Sequence, residues 1–197
     1  MTEELLCKNL LVGVSGSIHA LDIHNYLYQF RTSLAQTIKV IMTAHATNIV
    51  NPKTVELYAD DKVFIDIWDH STSVTKAAHI QLTRWADLFV VVPATANIIG
   101  KAANGIADDL LSSAILSYPR TVVFVPIMNQ ATWQSKALQR NIKRLQEDGH
   151  YIVPPDSLNV VVSTGDWDQG MGSSPESVLL HLKHVRMKEL REGYLYY

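Results

Sequence analysis

WADLFVVVPATANIIGKAANGIADDLLSSAILSYPRTVVFVPIMNQATW, residues 85–133, holds two strand-like uncharged runs within one span. Leu88–Val92 and Thr121–Val125 each end in a proline followed by a small polar cluster. These clusters are Pro93-Ala94-Thr95-Ala96-Asn97 and Pro126-Ile127-Met128-Asn129. Strands of a parallel sheet covered on both faces read as continuous apolar runs. In open α/β sheets, ligands gather beyond the carboxyl ends of the strands. The stretch therefore predicts two polar turns delivered to one ligand-bearing edge.

Working outward, Asn9–Val14 is a further apolar run, closed by Ser15-Gly16-Ser17 before a patterned segment, Ile18–Phe30. Strand, small-residue turn and helix start is a layout that can cradle phosphate, because backbone N–H groups face outward there. Two glycines serve tight packing as readily, so the turn alone leaves both readings open. Ile38–Thr43 is the second strand, with Thr43 at its carboxyl end. Helices are expected over Pro52–Ala59, Asn97–Gly105 and Asp108–Ser117, the last with Asp108 as N-cap. Lys62–His70 fits a short strand or a loop, and Ser71–Lys76 reads as a linker. Ala77–Ala86 puts His79 and Thr83 on one face if helical. Gln130–Asp148 predicts one helix, from Ala131, Ala137, Leu138, Ile142 and Leu145, with Gly149 as its C-cap.

Tyr151–Val153 is a last short strand. Pro154–Ser174 reads as a long irregular stretch, of the kind that forms lids. Pro175–Arg191 closes as a helix with Ser174 as cap and Glu176 in its first turn. Alternating strands and helices, with no repeat or boundary, predict a single domain over residues 1–197. Its fold class is α/β, a doubly wound parallel sheet of Rossmann-like or flavodoxin-like type, with a clamp or lid near residues 155–174.

The 197 residues are 47% hydrophobic and 18% charged, an ordinary globular balance. A net charge of -2, with basic residues scattered, argues against a nucleic-acid partner. Cys7 is the single cysteine, which excludes an internal disulfide and a cysteine-based metal site. The amino terminus lacks a signal-peptide pattern, and no run is long enough to span a bilayer. A cytoplasmic protein without a membrane partner is expected.

The eight histidines show no HExxH or comparable ligand spacing, so no metal is expected. Neither a GxSxG elbow nor a GxxxxGK[ST] loop occurs, which argues against serine hydrolysis and nucleotide hydrolysis. His79 precedes the strand bearing the first polar cluster and could reach the ligand edge. Pattern alone favours a structural histidine over a base. Asn97 and Asn129 divide evenly between turn chemistry and ligand-facing amides.

Two motifs go further. Pro93-Ala94-Thr95-Ala96-Asn97 resembles PASANT, and Pro126-Ile127-Met128-Asn129-Gln130-Ala131-Thr132-Trp133 resembles PxMNxxMW. Thr95 stands where the first motif has serine, and Thr132 where the second has methionine. With His79 upstream and Gly16-Ser17-Ile18 in the first turn, the chain resembles the homo-oligomeric flavin-containing cysteine decarboxylases, over about Leu10 to Met171. The branch acting on phosphopantothenoylcysteine carries a cysteine in the late loop that protonates an enethiol. Val160–Gly172 holds none here. The resemblance therefore points to the epidermin- and mersacidin-type branch, which decarboxylates the C-terminal cysteine of a precursor peptide oxidatively.

That resemblance implies roles residue by residue. His79 would take the substrate thiol proton and Asn129 would hold its carboxylate. Gly16, Ser17, Ile18 and Thr43 would meet the flavin phosphate, while Ala94, Thr95, Ala96 and Asn97 line the isoalloxazine and ribityl chain. Met128, Trp167 and Met171 would contact the peptide. It also implies FMN or FAD, with a lean to FAD, and a homo-oligomer, a trimer that can stack into a dodecamer. The remaining alternatives are phosphopantothenoylcysteine decarboxylation for coenzyme A synthesis and a non-catalytic flavin-binding regulatory subunit. Such subunits carry acidic extensions that this sequence does not show.

Overall fold

A computed structural model describes residues 5–67, 77–160 and 167–193, with the backbone alone at 157–160 and 167–171. Five strands form one parallel sheet: β1 (Cys7–Val14), β2 (Ala35–Met42), β3 (Leu88–Ala94), β4 (Val122–Pro126) and β5 (Tyr151–Ile152). Their order is β2-β1-β3-β4-β5, as the doubly wound expectation requires. The chain leaves β1 toward β2 on one side and later returns to place β3 on the other. The reversal point lies between β1 and β3, the position at which ligands gather in this architecture.

Alternation along the strands separates two cores. Leu10, Val12, Val14, Leu88, Val90, Val92, Val123 and Val125 pack on one face, against α1 (Ile23–Ser33) and α9 (Pro175–Arg191). Leu11, Phe89, Val91, Val122 and Phe124 pack on the other. There they meet α4 (Ala78–Trp85), α5 (Ala96–Ala103), α6 (Leu110–Ser117) and α8 (Lys136–Glu147). Each fully buried aliphatic or phenyl side chain contributes about 1.5–3 kcal/mol. A Cβ on Gly13 would stand 2.4 Å from Leu111 Cδ1. The glycine thus sets the close approach of α6 to β1.

Several boundaries differ from expectation, each for a local reason. The first helical segment opens as a 3-10 turn, Ile18–Asp22, before α1 begins. The second is reduced to α3 (Pro52–Glu56), because Asp60 N donates to Ile38 O and draws the chain back to β2. Asp109, not Asp108, caps α6: Ser112 N donates to its Oδ1 at 2.7 Å and Asp109 N donates to Ser112 Oγ. The expected helix Gln130–Asp148 is two, α7 (Gln130–Trp133) and α8, since Ser135 supplies a second cap to Leu138 N. Leu138, Ile142 and Leu145 form the buried stripe, whereas Ala131 and Ala137 are exposed. Gly149, at φ +89°, ends α8 as expected.

In Lys62–His70, Phe64 bridges Ile41 in parallel beside β2; residues 68–70 and all of Ser71–Lys76 lie outside the described residues. Within Pro154–Ser174 the expected irregular stretch is instead an antiparallel pair, β6 (Ser157–Val160) and β7 (Trp167–Gly172). Residues 161–166 lie outside the description.

Opposite the carboxyl edge, α9 is anchored by buried charge. Arg186 donates to Leu6 O and Asp87 O and sits 3.5 Å from Glu189, while Lys8 N and Asn9 N donate to Asp87 Oδ2. Among the described residues no helix is long and apolar enough to cross a membrane.

Candidate functional site

Three strand-end turns meet at the reversal point. After β1, Ser15 is only 2% exposed, and its hydroxyl donates to Pro93 O at 2.8 Å. Thr95 N donates to the same hydroxyl oxygen at 3.0 Å, so the β1 and β3 turns are tied together. After β2, Thr43 N donates to Val14 O at 3.0 Å, and Thr43 Oγ1 accepts from Ala46 N to cap the short helix α2 (Ala44–Thr47). Gly16 lies against α2: a Cβ there would stand 2.5 Å from His45 Cβ. Only hydrogen at Gly16 lets the first two turns pack this closely.

Between these turns lies a cavity of about 420 Å³, lined by Ser15, Gly16, Thr43, His45, Thr95, Asn97, Ile98, Lys101 and Asp109. Four of these, Gly16, Thr43, Thr95 and Asn97, are residues the sequence pointed to. Thr95 caps α5, accepting from Ile98 N at 3.3 Å, which leaves the exposed Asn97 side chain uncommitted at the cavity wall. Ile98 itself, at 1% exposure, departs from the threonine that ends the PASANT motif.

His45, Ile98, Lys101 and Asp109 line the cavity without standing out in the sequence, and Ser15 was visible there only as part of the first glycine turn. Lys101 follows Asn97 by four positions on α5, a spacing that puts both on one helix face and could have found it. Its ammonium lies 2.6 Å from Asp108 and 2.9 Å from Asp109. The hydrogen bond to Asp108 leads the effects that raise the Lys101 pKa. Burial pushes the Asp109 carboxyl up, but the Ser112 backbone N–H, Lys101 and the Ser112 hydroxyl more than offset it. The net result lies below the ordinary value. Lys101 is therefore a cation already committed to two carboxylates.

Other expected residues stand on the same edge without lining the cavity. Ser17 accepts from His19 N and opens the 3-10 turn, and Ile18 is exposed beside it. Ala96 begins α5. Ala94 is a correction: it is 0% exposed and packed in the core, so it positions the turn and presents no surface to a ligand. α4 returns along the sheet toward β3, which brings its first turn, with His79, to the carboxyl edge. Thr83 donates to His79 O at 2.8 Å. His79 Nδ1 is buried without a hydrogen-bond partner among the described residues, and a buried polar atom of this kind invites a ligand or water.

After β4, Asn129 caps α7: Thr132 N donates to its Oδ1 at 2.7 Å. The turn reading is thus observed, while the amide NH2 remains able to donate. Met128 is partly buried against the core face shared by α5, α6 and α8. Trp167 and Met171 lie on β7, and their side chains are outside the described residues. Cys7 is at the far edge, where burial pushes its thiol up to about 12.

The Flavoprotein family model matches residues 1–183. Mersacidin decarboxylase of Bacillus sp. (strain HIL-Y85/54728) is 33% identical over 178 residues, covering 89% of each chain. A solved structure of the FMN-dependent cysteine decarboxylase SpaF is 34% identical with a TM-score of 0.75, covering 90% of this chain and 97% of that one. The coenzyme A biosynthesis bifunctional protein CoaBC of Bacillus subtilis (strain 168) is 35% identical over 176 residues, and the chain spans 41% of its length. With a cavity at the reversal point of the sheet and a match that runs through nearly the whole chain, the protein belongs to the Flavoprotein family.

Proposed function

We propose that this protein is a flavin-dependent decarboxylase acting on the C-terminal cysteine of a ribosomal precursor peptide. Its product is an aminoenethiol, the step that forms S-aminovinyl-cysteine in lanthipeptide biosynthesis. The observation that carries this reading is the placement of the only cysteine. Cys7 is buried at the amino edge, across the sheet from the cavity, with a thiol held protonated by burial. No thiol in the chain is placed to return a proton to an enethiol, so the reaction ends at the oxidised product. Similarity to mersacidin decarboxylase and SpaF supports the same branch.

The residues present suit a flavin. The cavity lies where the strand order reverses, the usual dinucleotide and flavin position in this architecture. It offers hydroxyls from Ser15, Thr43 and Thr95, the amide of Asn97 and an apolar wall at Ile98. Gly16, Ser17, Ile18 and Thr43 serve the phosphate end, and Thr95, Ala96 and Asn97 the ring and ribityl end. The buried, unpartnered His79 Nδ1 is an orphan that bound substrate would satisfy. FMN is favoured by the SpaF likeness over the FAD lean of the sequence motifs.

When bound, oxidised flavin supplies a two-electron acceptor for the hydride on the substrate Cβ. The protein's own contribution is placement and proton handling. His79 removes the thiol proton, since an imidazole can take a thiol proton near neutral pH. The Asn129 NH2 donates to the carboxylate and holds its C–C bond beside the developing thioaldehyde, which draws the bonding electrons as carbon dioxide leaves. Asn129 Oδ1, fixed by Thr132 N, keeps that NH2 aimed. The β6–β7 hairpin, with Trp167 and Met171 on β7, is the clamp over the peptide.

The protein works in the cytoplasm as a homo-oligomer, trimeric or dodecameric. Exposed Ile18, Leu21 and Leu57, near the first turn, supply apolar surface for that assembly. The alternative, phosphopantothenoylcysteine decarboxylation, is favoured by the CoaBC match. One experiment separates them. The purified yellow protein is offered a peptide ending in cysteine and, separately, phosphopantothenoylcysteine. Turnover of the peptide alone is expected. A protein that cannot be loaded with flavin, or that turns over only the small substrate, contradicts the proposal.

A further inference from the structure

We infer that His45 is a further binding residue of the site and serves the flavin's phosphate ester. The inference rests on the flavoprotein reading above and adds to it a residue that the sequence motifs do not include. A phosphate ester carries up to two negative charges, and hydroxyls and backbone N–H groups alone leave those charges unneutralised. Two side chains lining the cavity can carry positive charge, His45 and Lys101. Lys101 is held by Asp108 at 2.6 Å and Asp109 at 2.9 Å, so the three groups together are net negative. Asp109 also lines the cavity, and its oxygens are taken by Ser112 and Lys101. That end suits hydroxyl groups and repels an anion.

The opposite end is different. Ser15, Gly16, Thr43 and His45 stand together there, contributed by the turns after β1 and β2. His45 is exposed and has no ion-pair partner among the described residues, so its ring nitrogens are open to a ligand. Its backbone is not free to move. Gly16 packs against it so closely that a Cβ would stand 2.5 Å from His45 Cβ and 3.2 Å from His45 C, and Thr43 N is bonded to Val14 O. An uncommitted imidazole on a fixed backbone beside a glycine turn is suited to a phosphate oxygen. A charge-assisted hydrogen bond of this type is about twice as strong as a neutral one.

The geometry also orients the ligand within the cavity. The phosphate lies toward β1 and β2, and the hydroxyl-bearing chain toward Asn97, Lys101 and Asp109. A monoester (FMN) and a diphosphate (FAD) both place a phosphate group at His45, and the two are separable by experiment.

The test measures dissociation constants of riboflavin, FMN and FAD for the flavin-stripped protein by fluorescence quenching. It compares the natural chain with His45→Ala, His45→Gln and His45→Lys. The preference of the natural chain for FMN over riboflavin is expected to fall about 10-fold or more in His45→Ala and His45→Gln, the scale of one hydrogen bond to a charged group. Riboflavin affinity is expected to stay within about twofold, and His45→Lys is expected to keep most of the preference. A parallel loss is expected for FAD, and an unchanged FAD affinity overturns the placement of its diphosphate at His45. Equal weakening of riboflavin and FMN, or no weakening of FMN, overturns the inference while leaving the flavoprotein reading intact. Failure of the natural chain to bind any of the three overturns that reading itself.

Discussion

The turns that follow β3 and β4 start from nearly the same sequence and end in different chemistry. Each is an apolar strand closed by proline, with an asparagine a few residues on. After β3, Thr95 supplies the helix cap, which releases Asn97 to the wall of the cavity. After β4 no hydroxyl stands before the helix, so Asn129 must cap α7 with its own Oδ1. That asparagine is therefore half committed: its carbonyl oxygen serves the fold and its NH2 remains for a ligand. Capping duty decides which amide is free, and the residue at the N-cap position assigns it. In the proposed reading the first turn would serve a cofactor and the second would aim a donor at a substrate.

The largest expected effect asks whether either turn works without a base. His79→Asn should keep flavin yet lose at least about 100-fold in kcat, the scale of one acid–base group. A normal rate would remove His79 from the chemistry. Next comes Asn129→Asp, which retains the capping oxygen and replaces the donor by negative charge. It should lower kcat/KM for the peptide by about 10- to 100-fold, the worth of a hydrogen bond to a charged group, without changing flavin content. Loss of flavin instead would erase the distinction between the turns. Asn97→Ala should do the reverse, weakening flavin binding by about fivefold, the scale of a neutral hydrogen bond, while thermal stability holds. The smallest effect is on the fold: Asp109→Ala removes the α6 cap and should cost about 1–2 kcal/mol in denaturant unfolding. Asp109 has a depressed folded pKa, so its contribution is present above its ordinary value of 3.8 and fades as pH falls below it. The Ala variant and the natural chain should therefore converge in stability toward acid pH.

Strands and edge were legible because burial on both faces leaves unbroken apolar runs, and the sheet then sends their carboxyl ends to one side. β1, β3 and β4 were readable for that reason. Helix boundaries were less so. Asp108 and Asp109 are equally good caps by type and both pair with Lys101, and only the Ser112 N–H, which donates to Asp109, tells them apart. Gln134 and Ser135 break the expected long helix because a second cap competes with an apolar period that continues through it. In the site, Gly16, Thr43, Thr95 and Asn97 were visible as turn residues. Lys101 shares a helix face with Asn97 and was readable from that spacing, whereas His45 and Asp109 reach the same cavity from two other elements, and no local pattern records that convergence. Ala94 was misread because membership of a motif does not give exposure.

The most direct measurement is the mass of a peptide ending in cysteine after incubation with the flavin-loaded protein. Loss of carbon dioxide plus two hydrogen atoms is expected, with no reaction when the terminal carboxylate is amidated. Loss of carbon dioxide alone, with the hydrogens returned, would contradict the proposed function, because it would require an acid that Cys7, buried on the far edge, is not placed to supply.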